Sequence, residues 1–163
     1  MKKLVVLLLC LISIQTIIKA DDDKPVAVNE LPKEALAFIQ KHFAGTKISY
    51  AKMESDFFKK EYEVIFVNGQ KAEFDKNGTW KEIDCKYNSV PASIIPEAIK
   101  KHLTEQFPEQ TVIKIERDKK GYEVKLKNKL ELKFNHAFQL TDIDNYRFSS
   151  RSPVLLPEGQ RGF

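Results

Sequence analysis

The chain is 163 residues long and carries 27 Lys and Arg against 23 Asp and Glu, a formal net charge of +4. Lys2, Lys3 and Lys19 fall in the first twenty residues, and without them 24 bases face 23 acids, which excludes the one-sided basic excess expected of a nucleic-acid binder. Cys10 lies in the same stretch, so Cys85 is the only cysteine beyond it, an internal disulfide is excluded there, and stability must come from packing.

Residues 1–20 read as a secretory signal peptide: a basic start at Lys2 and Lys3, an apolar stretch from Leu4 to Leu11, and a cleavage site at Ile18-Lys19-Ala20 before Asp21. Ser13, Gln15, Thr16 and Lys19 interrupt the apolar run, which falls short of the ~20 residues a membrane span requires. The expectation is a periplasmic or secreted protein with no stable membrane insertion after cleavage. Leu9 precedes Cys10 where a bacterial lipoprotein signal places a small residue, so lipidation is not expected.

Residues 21–30 carry Pro and charge without period and are expected to form a flexible N-terminus. A first module over 31–84 begins with Pro32 at the first helical position. Ala35, Phe38, Ile39 and Phe43 then recur at helical spacing, and Ala44-Gly45 ends the helix. A strand is predicted over Lys47 to Met53. The period then changes to two: Tyr62, Val64 and Phe66 alternate with Glu63, Ile65 and Val67, and Ala72 and Phe74 continue the apolar face. Asp75-Lys76-Asn77-Gly78 is a hairpin turn, because Asn-Gly adopts positive φ readily, and a last strand follows over Thr79 to Asp84.

A linker over 85–93 leads to a second module over 94–147. Pro96, Ile99, Leu103 and Phe107 give a helix stopped by Pro108, and a strand covers Thr111 to Arg117. Tyr122, Val124 and Leu126 then stand opposite Glu123, Lys125 and Lys127, with Leu132 and Phe134 continuing the face. Asn135-His136-Ala137-Phe138 lacks a Gly, so this turn is expected to differ from the first. Residues 148–163 read as an irregular C-terminal tail.

The modules are linked by self-similarity at a period of about 60 residues, sought as a sign of repeat architecture. Tyr62, Glu63, Val64, Asn68, Phe74, Ile83 and Asp84 meet identical residues at Tyr122, Glu123, Val124, Asn128, Phe134, Ile143 and Asp144. Upstream the offset is 64, with Pro32 against Pro96 and Phe43 against Phe107, which places a four-residue insertion carrying Phe57 and Phe58 between residues 54 and 61. The predicted fold is α+β: two tandem modules, each a helix followed by a four-stranded antiparallel sheet, sharing one curved sheet with the helices on one face.

Leu31-Pro32 with Phe43, Ile95-Pro96 with Phe107, the paired Tyr-Glu-Val strands and Asp75-Lys76-Asn77-Gly78-Thr79-Trp80 resemble the PepSY-like, β-lactamase-inhibitory-protein-like group of exported bacterial proteins. The resemblance spans nearly all of the chain beyond residue 20. It implies a curved sheet whose open face and hairpin tips grip an enzyme, or a role in restraining proteases or assisting their maturation. The chain departs from the inhibitory protein in lacking an intramodular disulfide, which argues against a β-lactamase in particular as the target. Because these residues determine fold, they speak to architecture more than to activity.

If Tyr62, Val64 and Phe66 face the helix, the alternate positions line the open face. There Tyr50, Ile65 and Val67 in the first module stand where Lys114, Lys125 and Lys127 stand in the second, a greasy half beside a cationic half. A solvated sheet has little reason to expose Ile and Val, so the greasy half is a candidate interface. Lys125 and Lys127 fit either a wet, mixed-charge face or an acidic partner. Phe57 and Phe58 extend a hairpin tip and fit either a partner's pocket, as hot-spot anchors, or folding back under the sheet edge. Trp80 aligns with Leu140 and is assigned to packing.

No chemistry is legible. His42 and His102 lie on helices and His136 in a turn, without zinc spacing, and there is no phosphate loop, nucleophile elbow or Cys/His pairing near Cys85. Glu63 with Glu123 and Asp84 with Asp144 recur between the copies, which argues for structural roles over a carboxylate pair. The expectation is a non-catalytic binding protein without cofactor or metal, with a protein partner. The alternative is a small-ligand or peptide carrier using the sheet's concavity. Pairing of Cys85 between chains stays open.

Overall fold

The computed structural model describes residues 23–55 and 59–145, with the backbone alone at residue 145. The signal segment, Phe57 and Phe58, and residues 148–163 lie outside the described residues. Among the described residues two α-helices, α1 (Lys33–His42) and α2 (Glu97–Gln106), accompany one antiparallel sheet of nine strands. The strands are β1 (Lys24–Val26), β2 (Ile48–Ser55), β3 (Lys60–Phe66), β4 (Lys71–Asp75), β5 (Trp80–Asp84), β6 (Val112–Arg117), β7 (Gly121–Leu126), β8 (Leu130–Asn135) and β9 (Leu140–Asn145). Their spatial order is their sequence order, with every neighbour antiparallel, so each pairing is reached by a short connection or by one helix crossing.

Each helix buries one stripe. Pro32 and Pro96 sit at the N-caps, one residue outside the predicted position, and Ala35 and Ile39, with Ile99 and Leu103, are buried. Phe43 N–H donates to Ile39 O at 2.8 Å and Phe107 N–H to Leu103 O at 2.8 Å, closing the two helices at the expected aromatic residues. Below them runs a rung of small and branched side chains: Ala51, Val64, Ala72, Ile83, Ile115, Val124 and Leu132 are register partners in turn, and all are buried. Phe38 and Phe43 of α1 pack on Phe74 and Phe66, with ring centroids at 5.6 and 4.8 Å, and His102 of α2 packs on Phe134 at 5.5 Å. The helices therefore cover the Tyr62–Val64–Phe66 side, as alternation predicts, and among the described residues no helix lies on the other side of the sheet.

Rungs recur along the chain. Tyr62–Phe74–Trp80 and Tyr122–Phe134–Leu140 each end at a register shift, and a bulge separates Ile48 from Tyr50 as another separates Val112 from Lys114. Met53 pairs Tyr62 as Arg117 pairs Tyr122, but β2 and β3 add Glu54–Glu61 and Ser55–Lys60, so the four-residue insertion lengthens this hairpin by two rungs.

Two expectations are corrected. The stretch 21–30 contributes β1, which pairs Lys24, Pro25 and Val26 with Met53, Lys52 and Ala51 at the sheet edge, where Pro is tolerated because its missing N–H can face outward. The second hairpin turn does not differ from the first. Asp75 Oδ1 accepts N–H bonds from Asn77 and Thr79, Asn135 Oδ1 accepts them from Ala137 and Gln139, and Gly78 and Phe138 both have positive φ, +89° and +58°. Asn supplies the same acceptor geometry as Asp, and Phe138, tilted against Tyr122 at 5.4 Å, takes the left-handed conformation despite its side chain. The 85–93 connection is tied to β6: Cys85 N–H donates to Ile113 O and Val90 N–H to Val112 O, and both side chains are buried.

Candidate functional site

Alternation in every strand delivers a second set of side chains to the uncovered face, and the register arranges them in two transverse rows. One row runs Lys52, Glu63, Glu73, Glu82, Glu116, Glu123, Lys133, Asp142 from β2 to β9. Five glutamates thus stand side by side on five adjacent strands. The next row runs Tyr50, Ile65, Lys71, Asp84, Lys114, Lys125, Glu131, Asp144. Nine carboxylates face five lysines across the two rows.

Like charges directly opposite on neighbouring strands repel, and the lysines are arranged to offset this. Lys71 reaches Glu73 at 2.8 Å, Glu82 at 3.1 Å and Glu63 at 3.4 Å, and Lys114 reaches Glu82 at 2.9 Å and Glu116 at 3.4 Å. Burial lowers the Lys71 ammonium's pKa, but the bonds and charges of Glu73 and Glu82 outweigh it and leave it above the usual lysine value. The compensation is incomplete at two glutamates. Burial, with Glu82 and Glu63 nearby, leaves Glu73 above the ordinary carboxylate pKa although Lys71 pulls it back. Burial, with Glu131 and Glu116, does the same to Glu123.

The greasy positions come together as expected at one end of the second row. Tyr50 and Val67 are 53% and 63% exposed, whereas Ile65, the register partner of Tyr50, is half-buried and contributes an edge to the patch. The lysine half is a mixed-charge face, the first of the two readings its sequence allowed. Lys125 pairs with Glu131 at 2.6 Å and Lys114 is held between two glutamates, so only Lys127, exposed just beyond β7, keeps the outward position foreseen for it. Sequence alternation identified which residues share the face, but the strand register that lines up Glu63, Glu73, Glu82, Glu116 and Glu123 is a tertiary fact. Glu63 and Glu123, assigned to structure because they recur, belong to that row.

The remaining candidates are placed in the framework. Trp80 is half-buried beside Phe38, and the Arg117 guanidinium lies 4.3 Å from its ring centre. His42 Nδ1 lies 3.0 Å from Ser93 Oγ and His136 Nε2 lies 2.8 Å from Lys119 O, while His102 Nε2 is buried and has no hydrogen-bond partner among the described residues. The Cys85 side chain is fully buried, which raises its thiol pKa to about 11, and Asp84 adds to the rise. Tyr87, 88% exposed in the connection after β5, is an outward aromatic that the sequence reading passed over because it belongs to no periodic stretch.

The chain matches the family model described as "putative beta-lactamase-inhibitor-like, PepSY-like" over residues 60–142, just over half its length. No curated protein matches it. Among solved structures, a Bacteroides thetaiotaomicron protein described as a putative calcium-regulated periplasmic protein is 60% identical, with a TM-score of 0.75, and the match covers 77% of this chain and 99% of that one. A Bacteroides vulgatus protein described as a putative periplasmic protein of the DUF2874 family is 54% identical over the same shares, also with a TM-score of 0.75. A second B. vulgatus structure, of unknown function, is 40% identical, with a TM-score of 0.73 and coverage of 76% and 99%. Sequence and structure together place this chain in the PepSY-like, β-lactamase-inhibitor-like family.

Proposed function

We propose that this is an exported, non-catalytic binding protein that inhibits or modulates an envelope or secreted enzyme, a protease or a β-lactamase-like target. In this reading the open sheet face and the tip of the β2–β3 hairpin make the contact. The observation that carries it is the uncovered side of the sheet, which combines the exposed Tyr50 and Val67 with a row of five adjacent glutamates. An apolar anchor beside a charged field is the composition of a protein–protein interface, where the anchor supplies affinity and the charges supply register and on-rate. The partner surface that fits is basic with one apolar pocket. The family's inhibitor-like description supports the same role.

Two copies of one unit, a helix and four strands each, account for the recurrent rungs, and Phe57 and Phe58, which lie outside the described residues, are further candidate contacts. Residues 1–20 direct export and are removed. The periplasmic descriptions of the solved relatives support this, and no helix among the described residues is long and apolar enough to cross a membrane. The carrier alternative has less support: the cavity at the sheet, bordering Glu116, Gly121, Glu123 and Lys133, is about 260 Å³, below the ~300–1,000 Å³ of typical small-molecule sites, and a larger one of about 480 Å³ is lined by α2 residues such as Glu97, Lys101 and Thr104 and lies away from the sheet's concavity.

The test is affinity capture from native envelope, followed by an activity assay of the captured enzyme with and without this protein. Tyr50→Glu with Val67→Glu, and separately Phe57→Ala with Phe58→Ala, should cut capture at least tenfold while the melting temperature holds. Capture that survives both pairs, or a small molecule copurifying in native mass spectrometry instead of a protein, would remove the proposal. Mass analysis of the periplasmic fraction should find Asp21 at the mature N-terminus.

A further inference from the structure

The strand register places one glutamate twice on the open face, in opposite surroundings. Lys52, Glu63 and Glu73 are neighbours across β2, β3 and β4, and Glu116, Glu123 and Lys133 are neighbours across β6, β7 and β8. The sequence offsets of 64 and 60 set Glu63 against Glu123, Lys52 against Glu116 and Lys71 against Glu131.

Glu63 is held between two ammonium groups: Lys52 Nζ lies 3.5 Å from its Oε1, and Lys71 Nζ lies 3.4 Å from its Oε2. Glu123 stands at the same level with a glutamate in place of each lysine. The lysines of the neighbouring strands are engaged elsewhere. Lys133 bonds Asp142 at 3.1 Å and Asp144 at 2.5 Å, Lys114 bonds Glu82 at 2.9 Å and Glu116 at 3.4 Å, and Lys125 bonds Glu131 at 2.6 Å. Among the described residues no lysine or arginine pairs with Glu123. Burial, with Glu131 and Glu116 beside it, keeps its carboxyl above the ordinary range.

Space changes in step with charge. The cavity bordered by Lys52, Tyr62, Glu63 and Glu73 is about 30 Å³, and the one bordered by Glu116, Tyr122, Glu123 and Lys133 is about 260 Å³. Gly121 borders the second cavity where Glu61, its counterpart at the 60-residue offset, borders the first. The first position is therefore filled by a lysine of the chain itself, while the second keeps the carboxylate and the room but lacks the cation.

We propose that the Glu116–Glu123 site accepts a lysine side chain of the protein partner, whose ammonium takes beside Glu123 the place that Lys52 holds beside Glu63. A charge-assisted N–H bond to the carboxylate supplies the contact, and the Tyr122 ring lines the wall along which the methylene stem would lie. The proposal rests on the binding role above and names what the open face takes from its partner.

Amide-shift titration of the full chain with Nα-acetyl-lysine methylamide tests it. Glu116, Tyr122, Glu123 and Thr141 should shift saturably while Lys52 and Glu63 stay in place. Glu123→Gln should weaken the response at least tenfold, and Glu116→Lys, which builds the Lys52 arrangement into the second position, should abolish it with the remaining amide spectrum unchanged. Equal shifts from the uncharged Nε-acetylated probe, undiminished binding by Glu123→Gln, or a stronger response to calcium chloride at the same site would overturn the proposal. Envelope capture separates the two readings. A partner captured by a chain that gives no lysine response would remove this site and keep the binding role, whereas a saturable lysine response with no captured protein would keep the site and remove the role.

Discussion

His102 offers a measurement of what one misplaced polar atom costs this fold. At the 64-residue offset it corresponds to Phe38, and the geometry agrees: Phe38 meets Phe74 edge-on at 5.6 Å and 79°, and His102 meets Phe134 edge-on at 5.5 Å and 84°. The two rings do the same packing, but the imidazole brings a buried Nε2 without a hydrogen-bond partner among the described residues. An unsatisfied buried polar atom costs about 1–3 kcal/mol, and replacing it with an apolar ring of similar shape recovers part of that cost. His102→Phe is therefore expected to raise unfolding stability by about 1 kcal/mol, which moves the melting temperature by about 4 °C in a domain of this size. The reciprocal Phe38→His should lower stability by about 2 kcal/mol, because it introduces the same orphan beside Phe74 and gives up contact with Trp80. Urea unfolding monitored by Trp80 fluorescence reads both changes. A His102→Phe variant less stable than the parent would refute the reasoning, since it would mean that Nε2 is satisfied or that the site has no room for the extra ring atom.

Three further outcomes follow from the same packing and charge arrangement. Glu73→Gln should stabilise the protein at pH 7 by about 0.5 kcal/mol, the scale of a cross-strand like-charge pair, with the gain gone below pH 4.5. The sign follows from the raised Glu73 pKa: with Glu63, Glu82 and Lys71 around it, the parent holds this contribution fully while the carboxyl is protonated and loses it as pH rises through the folded value. Gly78→Ala should cost more than Gly69→Ala by chemical denaturation. Both glycines have positive φ and pay the roughly 1 kcal/mol left-handed penalty, but a Cβ at residue 78 would also meet Ala35 N at 2.7 Å and Pro32 Cβ at 2.9 Å, while residue 69 has nothing within 4 Å. Cys85 should be inert to a thiol reagent in the native protein at pH 8 and react on unfolding, because its side chain is fully buried and its thiol pKa is pushed up to about 11; rapid native labelling would show that the 85–93 connection opens.

The fold was legible where a periodic pattern repeats. The change from helical to alternating spacing at residues 43–62, and again at 107–122, set both helices, the strands that follow them and the side each strand buries, because burial of Val64, Phe66, Val124 and Leu126 leaves no freedom in orientation. The edge strand β1 escaped because three residues including Pro25 have no period and gain strand geometry only by pairing with β2. The second hairpin turn misled because the rule read the absent Gly and missed that Asn135 supplies the same acceptor as Asp75. At the open face, composition put greasy residues in one half and lysines in the other, yet a lysine's meaning depended on its cross-strand partner. Lys114 and Lys125 became internal counter-charges once Glu82, Glu116 and Glu131 were brought beside them.

The glutamate row is also what separates this face from an ordinary solvated sheet. Packing does not dictate open-face positions, and a wet sheet is most stable when opposite charges alternate across its strands. Here five consecutive strands place Glu at one level; burial first, and neighbouring carboxylates second, hold Glu73 and Glu123 above the ordinary carboxylate pKa, and Lys71 and Lys114 only partly offset this. Local arrangements that oppose stability without a packing benefit are concentrated at functional sites. A basic surface laid on this row would relieve the repulsion it meets, so part of the binding free energy would come from strain already present in the free protein. On that account Glu73→Gln and Glu123→Gln should stabilise the protein and weaken its hold on a basic partner in the same experiment. Variants that gained stability with no loss of capture would separate the row from the interface.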